Sequence, residues 1–502
     1  MSETGTEPRS FARQFPDPER AENVRYNPSL STLRELASPD ERTTEFGSPV
    51  YVSEYRSRSA DRTKNAVDES FTDADDELVR AGIDATSTRA MCCVDRLLGR
   101  HPEATFCCRL FVPVEYARIA YAWANLFEPS DGRDPDFVTV QVPDHDETAI
   151  RVLPEDGTTV VLGSDYTGEA KKSFLRMFMY EVKRRGGLGL HAGSKRVRVL
   201  DDDGNERTVG QLFLGLSATG KSTLTSHGCW LEEPEGAAML QDDVCALLPD
   251  GSVAGSEGQG LYIKTKGLTA TEQPALYEAA TDPSAVLENV VVEDGTVDFD
   301  DDAYTANGRA VVQRSALESA AEEIDLAHVD QIFFITRNPL MPPVAKLEEE
   351  QAAAAFMLGE SIETSAGDPD RAGESIRVVG TNPFIVGPEG KEGNTFYDLT
   401  STLDVDCFVL NTGYVGDETV DVGVEETVTL LTEIARGAIE WDRDERLGMT
   451  VPTHVPGLAI DEYYVPDHVD DYESAVEALR EERRRYLESF PTLSDSIVDA
   501  VY

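Results

Sequence analysis

Basic residues are scarce in this sequence. The 502-residue chain contains 94 aspartates and glutamates but only 45 lysines and arginines, which gives a formal net charge of −49. Nucleic-acid partners need lysine and arginine to neutralise their phosphates, so this balance argues against nucleic-acid binding. The acidity is spread along the chain, and it favours a salt-rich cytoplasm, in which counterions screen the repulsion, over an ordinary acidic protein. A halophilic source is therefore our hypothesis.

Cysteines and long apolar runs are also few. The seven cysteines form no Cys-x-x-Cys pair, so nothing supports a zinc ribbon or a thioredoxin-like site, and pairs such as Cys92–Cys93 are expected to be reduced and buried. The most apolar helical stretch, residues 113–127, contains Glu115 and Arg118 and is too short to span a bilayer. The N-terminal residues lack the basic-then-apolar pattern of a signal peptide. We therefore expect a cytoplasmic protein with no membrane segment.

The length predicts roughly three domain-sized units, and an apolar content of 40% is enough for sizeable cores. Residues 1–23 are polar and contain proline, so we expect a loose arm there. The stretch FVTVQV (137–142) predicts a strand, and the apolar spacing of 169–185 predicts a helix. Residues 196–216 predict a hairpin whose second strand leads into a glycine-rich loop.

That loop, GLSATGKS (215–222), has the spacing of a phosphate-binding loop. A predicted strand precedes it and a segment able to form a helix follows, which is the context this motif requires. Glycines let backbone N–H groups approach phosphate closely, and a helix N-terminus favours an anion. The alternative interpretation is a chance glycine-rich turn. The predicted nucleotide-binding residues are Gly215, Ser217, Ala218, Thr219, Gly220, Lys221, Ser222 and Thr223.

A second candidate feature is an acidic pair about twenty residues after the loop. A predicted apolar strand ends in Asp242 and Asp243, and adjacent carboxylates at a strand end suit a metal ion attached to nucleotide phosphates. A solvated acidic turn is the alternative, and the position after a phosphate loop favours the metal site.

Three other features are not diagnostic by themselves. Lys171 and Lys172 could be an exposed pair, and His191, on a short apolar segment, could be a core residue. Arg309 follows a polar turn in an acidic segment, where it could be a surface ion-pair partner or a guanidinium held against phosphate.

Taken in chain order, these motifs resemble the ATP-dependent phosphoenolpyruvate carboxykinase family. The phosphate loop alone is weak evidence of a family, whereas an ordered set that covers nearly the whole chain is strong evidence. The matching segments are YNPS (26–29), RSADRTK (58–64), YTGEAKK (166–172), GLSATGKS (215–222), LQDD (240–243), YIKT (262–265), LENV (287–290), TANGR (305–309), MPPVAKL (341–347), LNTGY (410–414) and GMTVPTHVPGL (448–458).

The resemblance implies an α/β fold with two lobes. After the arm, a substrate-binding lobe would cover residues 24–190, and a nucleotide-binding lobe with the P-loop would cover 191–502. The implied reaction converts oxaloacetate and ATP into phosphoenolpyruvate, ADP and CO₂, which serves gluconeogenesis. Two rivals stay open, namely a kinase of the same nucleotide fold with another acceptor and a non-catalytic nucleotide-binding regulator.

The resemblance also implies roles for single residues. Arg58 would bind the substrate carboxylate, and Tyr166 would lie near the substrate and CO₂. Lys171, Lys264 and Arg309 would surround the phosphoryl group being transferred. The implied metal ligands are Lys172, His191 and Asp243 for a catalytic Mn²⁺, and Ser222, near Asp242, for the Mg²⁺ that accompanies ATP.

The sequence departs from the family pattern at several points. Ala218 replaces a glycine of the phosphate loop, and Val244–Cys245 replaces a Glu-His pair. The strand after His191 reads HAGSKRV instead of the usual pattern. Residues 417–428 contain no match for the arginine and threonine expected near adenine, so the sequence leaves the preference for ATP or GTP open. It also leaves open the direction of flux and the oligomeric state.

Overall fold

The computed structural model describes most of the chain. The described residues are 11, 14–55, 60–201, 204–216, 219–271, 273–305, 307–362, 375–416 and 420–502. Three residues with predicted roles, Arg58, Ser217 and Ala218, lie outside these ranges.

The chain divides into two compact units, each built from two segments. The first unit comprises Met1–Glu181 and Glu257–Glu318, and the second comprises Val182–Ser256 and Ser319–Tyr502. The predicted lobes, 24–190 and 191–502, were continuous, whereas the segment 257–318 belongs with the first unit. The reason is that its strands share a sheet with Pro49–Tyr51 from the beginning of the chain.

The larger sheet of the first unit is mixed. In spatial order its described strands are Val24–Tyr26, Met91–Leu98, Phe106–Pro113, Phe137–Val142, Thr158–Leu162, Ala149–Leu153 and Thr63–Asn65, with Glu128–Pro129 paired to Met91–Leu98. Its central strands are almost entirely buried, which explains their nearly continuous apolar and β-branched sequences. The strand predicted at 137–142 is confirmed.

A second sheet of the first unit joins both of its segments. Its described strands, in spatial order, are Gly260–Lys264, Arg309–Gln313, Val286–Glu288, Pro49–Tyr51 and Arg42–Thr43. Val286–Glu288 runs parallel to Pro49–Tyr51, with Leu287 opposite Val50. A small hairpin pairs Val291–Glu293 with Thr296–Asp298.

The first unit also supplies helices to both sheets. The described α-helices are Leu30–Ala37, Asp73–Thr88, Ala117–Ala124, Thr167–Arg184, whose last turn belongs to the second unit, and Pro274–Ala280. Short 3₁₀ turns lie at Ser38–Asp40, Ala60–Arg62, Val114–Tyr116, Pro154–Asp156 and Arg314–Ala316. Among the described residues, no helix of either unit is both long and apolar enough to cross a membrane.

The helix Asp73–Thr88 begins at a capping box. Thr72 Oγ1 accepts a hydrogen bond from the Asp75 N–H (3.3 Å), and Asp75 Oδ2 accepts one from the Thr72 N–H (2.9 Å). Arg151 Nε donates to Asp75 Oδ1 at 2.7 Å. Burial favours the neutral acid, yet the donors of Thr72 and Arg151 outweigh it and hold the pKa of Asp75 well below its ordinary value.

The described part of the predicted N-terminal arm packs against the first unit rather than lying loose. Phe11 is buried, and its N–H donates to Asp156 Oδ2 at 2.6 Å. Phe15 stacks on Phe111, with 5.7 Å between the ring centroids. The polar composition of this stretch concealed two aromatic anchors.

The second unit is built on a mixed sheet. Its described strands, in spatial order, are Gly236–Gln241, Ala192–Leu200, Glu206–Leu214, Gln331–Thr336, Asp406–Asn411, Val344–Leu347, Met449–His454 and Glu440–Asp444. Ala192–Leu200 and Glu206–Leu214 form the predicted antiparallel pair. Smaller sheets comprise Leu188–Leu190, Cys245–Leu247 and Val253–Gly255; Glu360–Ile362 and Ser375–Arg377; and Tyr414–Val415 and Val420–Asp421.

Helices of the second unit pack around this sheet. The described α-helices are Lys221–Ser226, Glu349–Leu358, Glu389–Thr400, Val424–Arg436, Tyr472–Leu487 and Asp495–Asp499, with 3₁₀ turns at Val379–Thr381, Ile460–Tyr463 and Val465–Asp467. The helix Glu349–Leu358 is buried almost all round, which matches its alanine-rich sequence.

Three strands in the middle of this sheet run parallel, and a row of phenylalanines aligns them. Phe213 lies opposite Phe333, which lies opposite Phe408. The rings stack with centroid distances of 5.3 and 5.2 Å. Because the register is fixed, the three strands end together at one edge of the sheet, where ligands of open α/β sheets bind.

Candidate active site

The glycine-rich loop follows the first of these parallel strands. A Cβ atom on Gly215 would lie 2.6 Å from Thr219 Oγ1, so only glycine allows this close approach. Gly220 has a φ of 95°, in the left-handed region, and the short helix Lys221–Ser226 begins directly after it. Backbone N–H groups at the start of this helix are therefore available to an anion.

Lys221 is the most telling side chain of the loop. Its ammonium nitrogen is buried and has no hydrogen-bond partner among the described residues. It lies 3.7 Å from Asp243 Oδ1, which is an ion pair without a hydrogen bond. A buried, incompletely paired cation is costly unless an anionic ligand compensates it.

Asp243 and His191 meet at the same edge of the sheet. His191 directly precedes the strand Ala192–Leu200, and Asp242 and Asp243 directly follow Gly236–Gln241, as the sequence predicted for the acidic pair. His191 Nε2 lies 3.0 Å from Asp243 Oδ1, and His191 Nδ1 lies 2.5 Å from the carbonyl oxygen of Thr381.

This geometry defines the tautomer of His191. A carbonyl oxygen only accepts hydrogen bonds, so Nδ1 carries a proton and donates to Thr381. In the neutral ring, the Nε2 lone pair then faces a carboxylate oxygen of Asp243. Two facing acceptors repel each other, and a cation, either a proton or a metal ion, relieves the repulsion. The donor set therefore fits a cation site, with Thr381 orienting the imidazole.

The residues that depart from the family pattern near this edge, Lys195, Val244 and Cys245, are buried in the core. Lys195 is fully buried and donates to the Leu224 carbonyl oxygen at 2.7 Å, which fastens its strand to the helix of the phosphate loop. Val244 and Cys245 are buried as well, and burial raises the pKa of the Cys245 thiol to about 12. These residues act in packing and not as ligands.

A second cluster of predicted site residues lies in the first unit, around Tyr166. The hydroxyl oxygen of Tyr166 accepts hydrogen bonds from Asn307 Nδ2 (3.1 Å) and Arg309 Nε (3.2 Å). Lys264 lies opposite Arg309 in the neighbouring strand. Because both lone pairs of the oxygen are used, the hydroxyl proton of Tyr166 is directed towards another acceptor.

The two adjacent lysines of this cluster have different environments. Lys171 is buried, and its Nζ lies 3.1 Å from the equally buried Glu257 Oε2. Lys172 is about one-third exposed, and its Nζ lies 3.2 Å from Glu169 Oε1 and 5.3 Å from the centroid of the Tyr166 ring. The charge of Lys171 is therefore compensated inside the unit, whereas Lys172 faces outward beside Tyr166.

Buried carboxylates hold both ends of the segment that carries Tyr166. Glu288 accepts hydrogen bonds from the Thr167 N–H (2.9 Å) and from the Tyr262 hydroxyl, and burial raises the pKa of Glu288. Asp165 is paired with Arg118 (Nη2 to Oδ2, 2.5 Å).

The same Asp165 carboxylate also fixes the backbone that leads towards Arg58. It accepts the N–H groups of Glu54 at 2.6 Å and Tyr55 at 2.9 Å. The N–H of Thr167 at the start of the helix is thus held by Glu288, and the backbone of residues 54–55 is held by Asp165, two residues before Thr167.

The comparison with known proteins decides the family. A family model described as phosphoenolpyruvate carboxykinase matches residues 22–461. The chain belongs to this family. The phosphoenolpyruvate carboxykinase (ATP) of Aeropyrum pernix is 37% identical over 484 residues, which cover 94% of this chain and 96% of that protein.

More distant relatives carry the same name. The protein of Afipia carboxidovorans is 30% identical over 356 residues (67% of this chain and 62% of that protein), and the protein of Geobacillus thermodenitrificans is 27% identical over 415 residues (75% of both). The family and enzyme class predicted from the ordered motifs, phosphoenolpyruvate carboxykinase (ATP), are confirmed. The comparisons favour neither of the two rivals.

Within this carboxykinase, the described site residues fall into two groups. The first unit holds Tyr166, Lys171, Lys172, Lys264 and Arg309, and the second unit holds Gly215, Thr219, Gly220, Lys221, Ser222, Thr223, His191, Asp242 and Asp243. Among the described residues, no three His, Cys, Asp or Glu side chains converge on a common point. The predicted Mn²⁺ set contains only two such side chains, His191 and Asp243, and its third member is a lysine.

Several residues that contact the predicted site residues carried no signal in the sequence. Glu257, Asp165 and Arg118 are single charged residues in an acidic chain, and only burial and pairing distinguish them. The backbone carbonyl of Thr381 has no side-chain signature at all. Glu288 lies within the matched segment LENV, which was the one available clue.

Proposed function

We propose that this chain converts oxaloacetate and ATP into phosphoenolpyruvate, ADP and CO₂. One observation carries the proposal, namely the cluster at the sheet edge of the second unit. There the buried Lys221 ammonium lies 3.7 Å from Asp243, and Asp243 lies 3.0 Å from His191. A cation short of partners beside a carboxylate and an imidazole suits a nucleotide phosphate chain and a divalent cation together.

The fit of the donors supports two divalent cations. His191 and Asp243 would be ligands of Mn²⁺, for which the family resemblance also implies Lys172 as a neutral amine. By the same resemblance Ser222 would hold the Mg²⁺ of ATP, and Asp242 is a further candidate ligand. When bound, these cations supply the positive charge that stabilises an enolate and a phosphoryl group in transfer.

The cluster of the first unit would bind oxaloacetate. Arg58 pairs with a substrate carboxylate, and the Tyr166 hydroxyl, held by Asn307 and Arg309, donates its proton to a substrate oxygen. The C–C bond to the departing carboxylate breaks, CO₂ is released, and the electron pair of that bond forms the enolate of pyruvate.

The enolate oxygen then attacks the γ-phosphorus of ATP in line, and ADP departs. Lys264 and Arg309, which lie opposite each other in neighbouring strands, contribute positive charge around the equatorial oxygens of the transferred group. The family resemblance also implies Lys171 near this group, although Glu257 compensates the charge of Lys171. Lys221 holds the β- and γ-phosphates throughout.

The proposal is tested by a coupled assay of phosphoenolpyruvate formation in molar KCl, a medium chosen for the net charge of −49. ATP is compared with GTP, and oxaloacetate with other 2-oxo acids. Lys221→Ala is expected to lower kcat by roughly 10²- to 10³-fold, because it removes charge stabilisation from the transition state. Lys346→Ala, which removes a half-exposed lysine paired with Asp406 in the same unit, is the matched control.

Two outcomes would contradict the proposal. Full turnover by Lys221→Ala would show that the loop is not the nucleotide site. If the unmodified protein binds ATP but forms no phosphoenolpyruvate with either nucleotide, the non-catalytic regulator replaces the carboxykinase.

A further inference from the structure

The phosphate loop of the second unit has different neighbours on its two sides along the edge of the large sheet. Asp243 and His191 lie at one side of the phosphate loop, because their strands, Gly236–Gln241 and Ala192–Leu200, precede Glu206–Leu214 in the spatial order. On the other side, the next strand is Gln331–Thr336. If Lys221 and Asp243 mark the end of the nucleotide that reacts, its nucleoside extends the opposite way.

Arg337 is the first residue after Gln331–Thr336 on that opposite side. Its side chain is half-buried and packs against Gly413, where a Cβ atom would lie 3.3 Å from Arg337 Cβ. The neighbouring Thr412 donates its hydroxyl proton to the carbonyl oxygen of Thr219 in the phosphate loop, at 2.8 Å. Arg337 therefore contacts Gly413, and the residue before Gly413, Thr412, contacts the phosphate loop.

The guanidinium of Arg337 is half-buried, and one of its nitrogens has no protein partner among the described residues. Its Nε is buried and makes no hydrogen bond to any described residue. Within the described ranges, no carboxylate lies close enough to form an ion pair with it, although the charge of Asp421 acts at longer range. Burial lowers the pKa of Arg337, so the charged form is retained at a cost. A planar donor group whose buried Nε has no partner in the described part of the chain, at a ligand-binding edge, points to a ligand.

We infer that Arg337 binds the nucleoside part of the nucleotide, through the ribose hydroxyls and the face of the purine ring. Neighbouring strands lie about 4.8 Å apart, so the backbone of Arg337 is one strand spacing from the strand of the phosphate loop. Its side chain is long enough to reach the ribose and base of a nucleotide whose β- and γ-phosphates sit on Lys221. The inference rests on the proposed nucleotide site.

The test compares ATP with inorganic tripolyphosphate, which has the phosphates but no nucleoside. Dissociation constants are measured by titration calorimetry in molar KCl at fixed Mg²⁺. Arg337→Ala is expected to weaken ATP binding by roughly 10- to 100-fold, since a charged hydrogen-bond donor is lost, and to leave tripolyphosphate binding unchanged. Lys221→Ala should weaken both ligands.

Two further variants keep the test decisive. Arg337→Lys preserves the charge and the aliphatic stem that packs against Gly413. It should weaken ATP binding less than Arg337→Ala does, because only the planar fork is lost, and it should leave tripolyphosphate binding unchanged. Arg443→Ala removes an exposed arginine paired with Glu348 in the same unit and should change neither constant.

Equal weakening of ATP and tripolyphosphate by Arg337→Ala would assign the residue to the phosphates and overturn the inference. Unchanged ATP binding would also overturn it. If the unmodified protein binds neither ligand, the proposed nucleotide site itself fails, which is distinguishable from a failure confined to Arg337.

Discussion

Asp165→Asn is the substitution whose effect can be worked out most fully from the structure. The Asp165 side chain is completely buried, and its Oδ2 accepts from both Arg118 Nη2 and the Glu54 N–H. Asparagine retains one acceptor oxygen, which can still bind the Tyr55 N–H, but its amide nitrogen replaces Oδ2. Two donors would then face a third donor, and the buried Arg118 would lose its counter-charge.

Breaking a buried ion pair from one side costs about 3–5 kcal/mol. This loss corresponds to a decrease in the urea midpoint of roughly 1–2 M for a denaturant slope of about 3 kcal/mol/M, the upper end of the usual range, because the slope increases with the size of the unfolding unit. The matched control is Asp144→Asn, which removes the partner of Arg89 in a partly exposed pair (Nη1 to Oδ1, 2.6 Å) of the same unit. A surface pair of this kind contributes about 0–1 kcal/mol.

The assay must report on the first unit alone, because two units need not unfold together. The chain contains three tryptophans, and Trp123 lies in the first unit on the helix that also carries Arg118. In a Trp230→Phe, Trp441→Phe background, its fluorescence follows that unit during urea unfolding. If Asp165→Asn shifts the midpoint no further than Asp144→Asn does, the carboxylate does not hold this region together and the reasoning fails.

Two further predictions concern the metal site and acid stability. His191→Ala should weaken Mn²⁺ binding by about tenfold or more, since one of the three proposed protein ligands is lost; Mn²⁺ titration followed by electron paramagnetic resonance checks this, and unchanged affinity would remove His191 from the proposed ligand set. The lowered pKa of Asp75 contributes stability that is present above the ordinary carboxyl pKa near 4 and is lost as the pH falls towards the folded-state value. The stability difference between the unmodified protein and Asp75→Asn should therefore be largest near neutral pH and shrink in acid, and a pH-independent difference in urea unfolding would refute this account.

The sequence predicted local features better than long-range ones. The strand at 137–142, the helix that became Thr167–Arg184, and the position of Asp242 and Asp243 at a strand end all follow from local periodicity and chain order. The phosphate loop has a spacing that chance rarely produces together with a preceding strand and a following helix. Such signals are contained within a few residues, so they can be seen without a structure.

The parts that could not be predicted depend on distant pairing. Nothing local distinguishes Glu257, the partner of Lys171, from the other carboxylates of so acidic a chain. The hydrogen bond from His191 to the Thr381 carbonyl joins residues 190 positions apart. The division into units was missed for the same reason, because it depends on which strands pair, as Leu287 does with Val50.

The sharing of one sheet by the two ends of the first unit has a consequence for protein synthesis. Strand Pro49–Tyr51 leaves the ribosome more than 200 residues before its parallel neighbour Val286–Glu288. The nascent first unit must therefore wait, with an unfilled sheet edge, while all of Val182–Ser256 is translated. Expression of a fragment that stops at residue 181 should yield an incomplete, aggregation-prone product. Isolating either unit would require deletion of the segment inserted in it and a linker between its two remaining segments, rather than simple truncation.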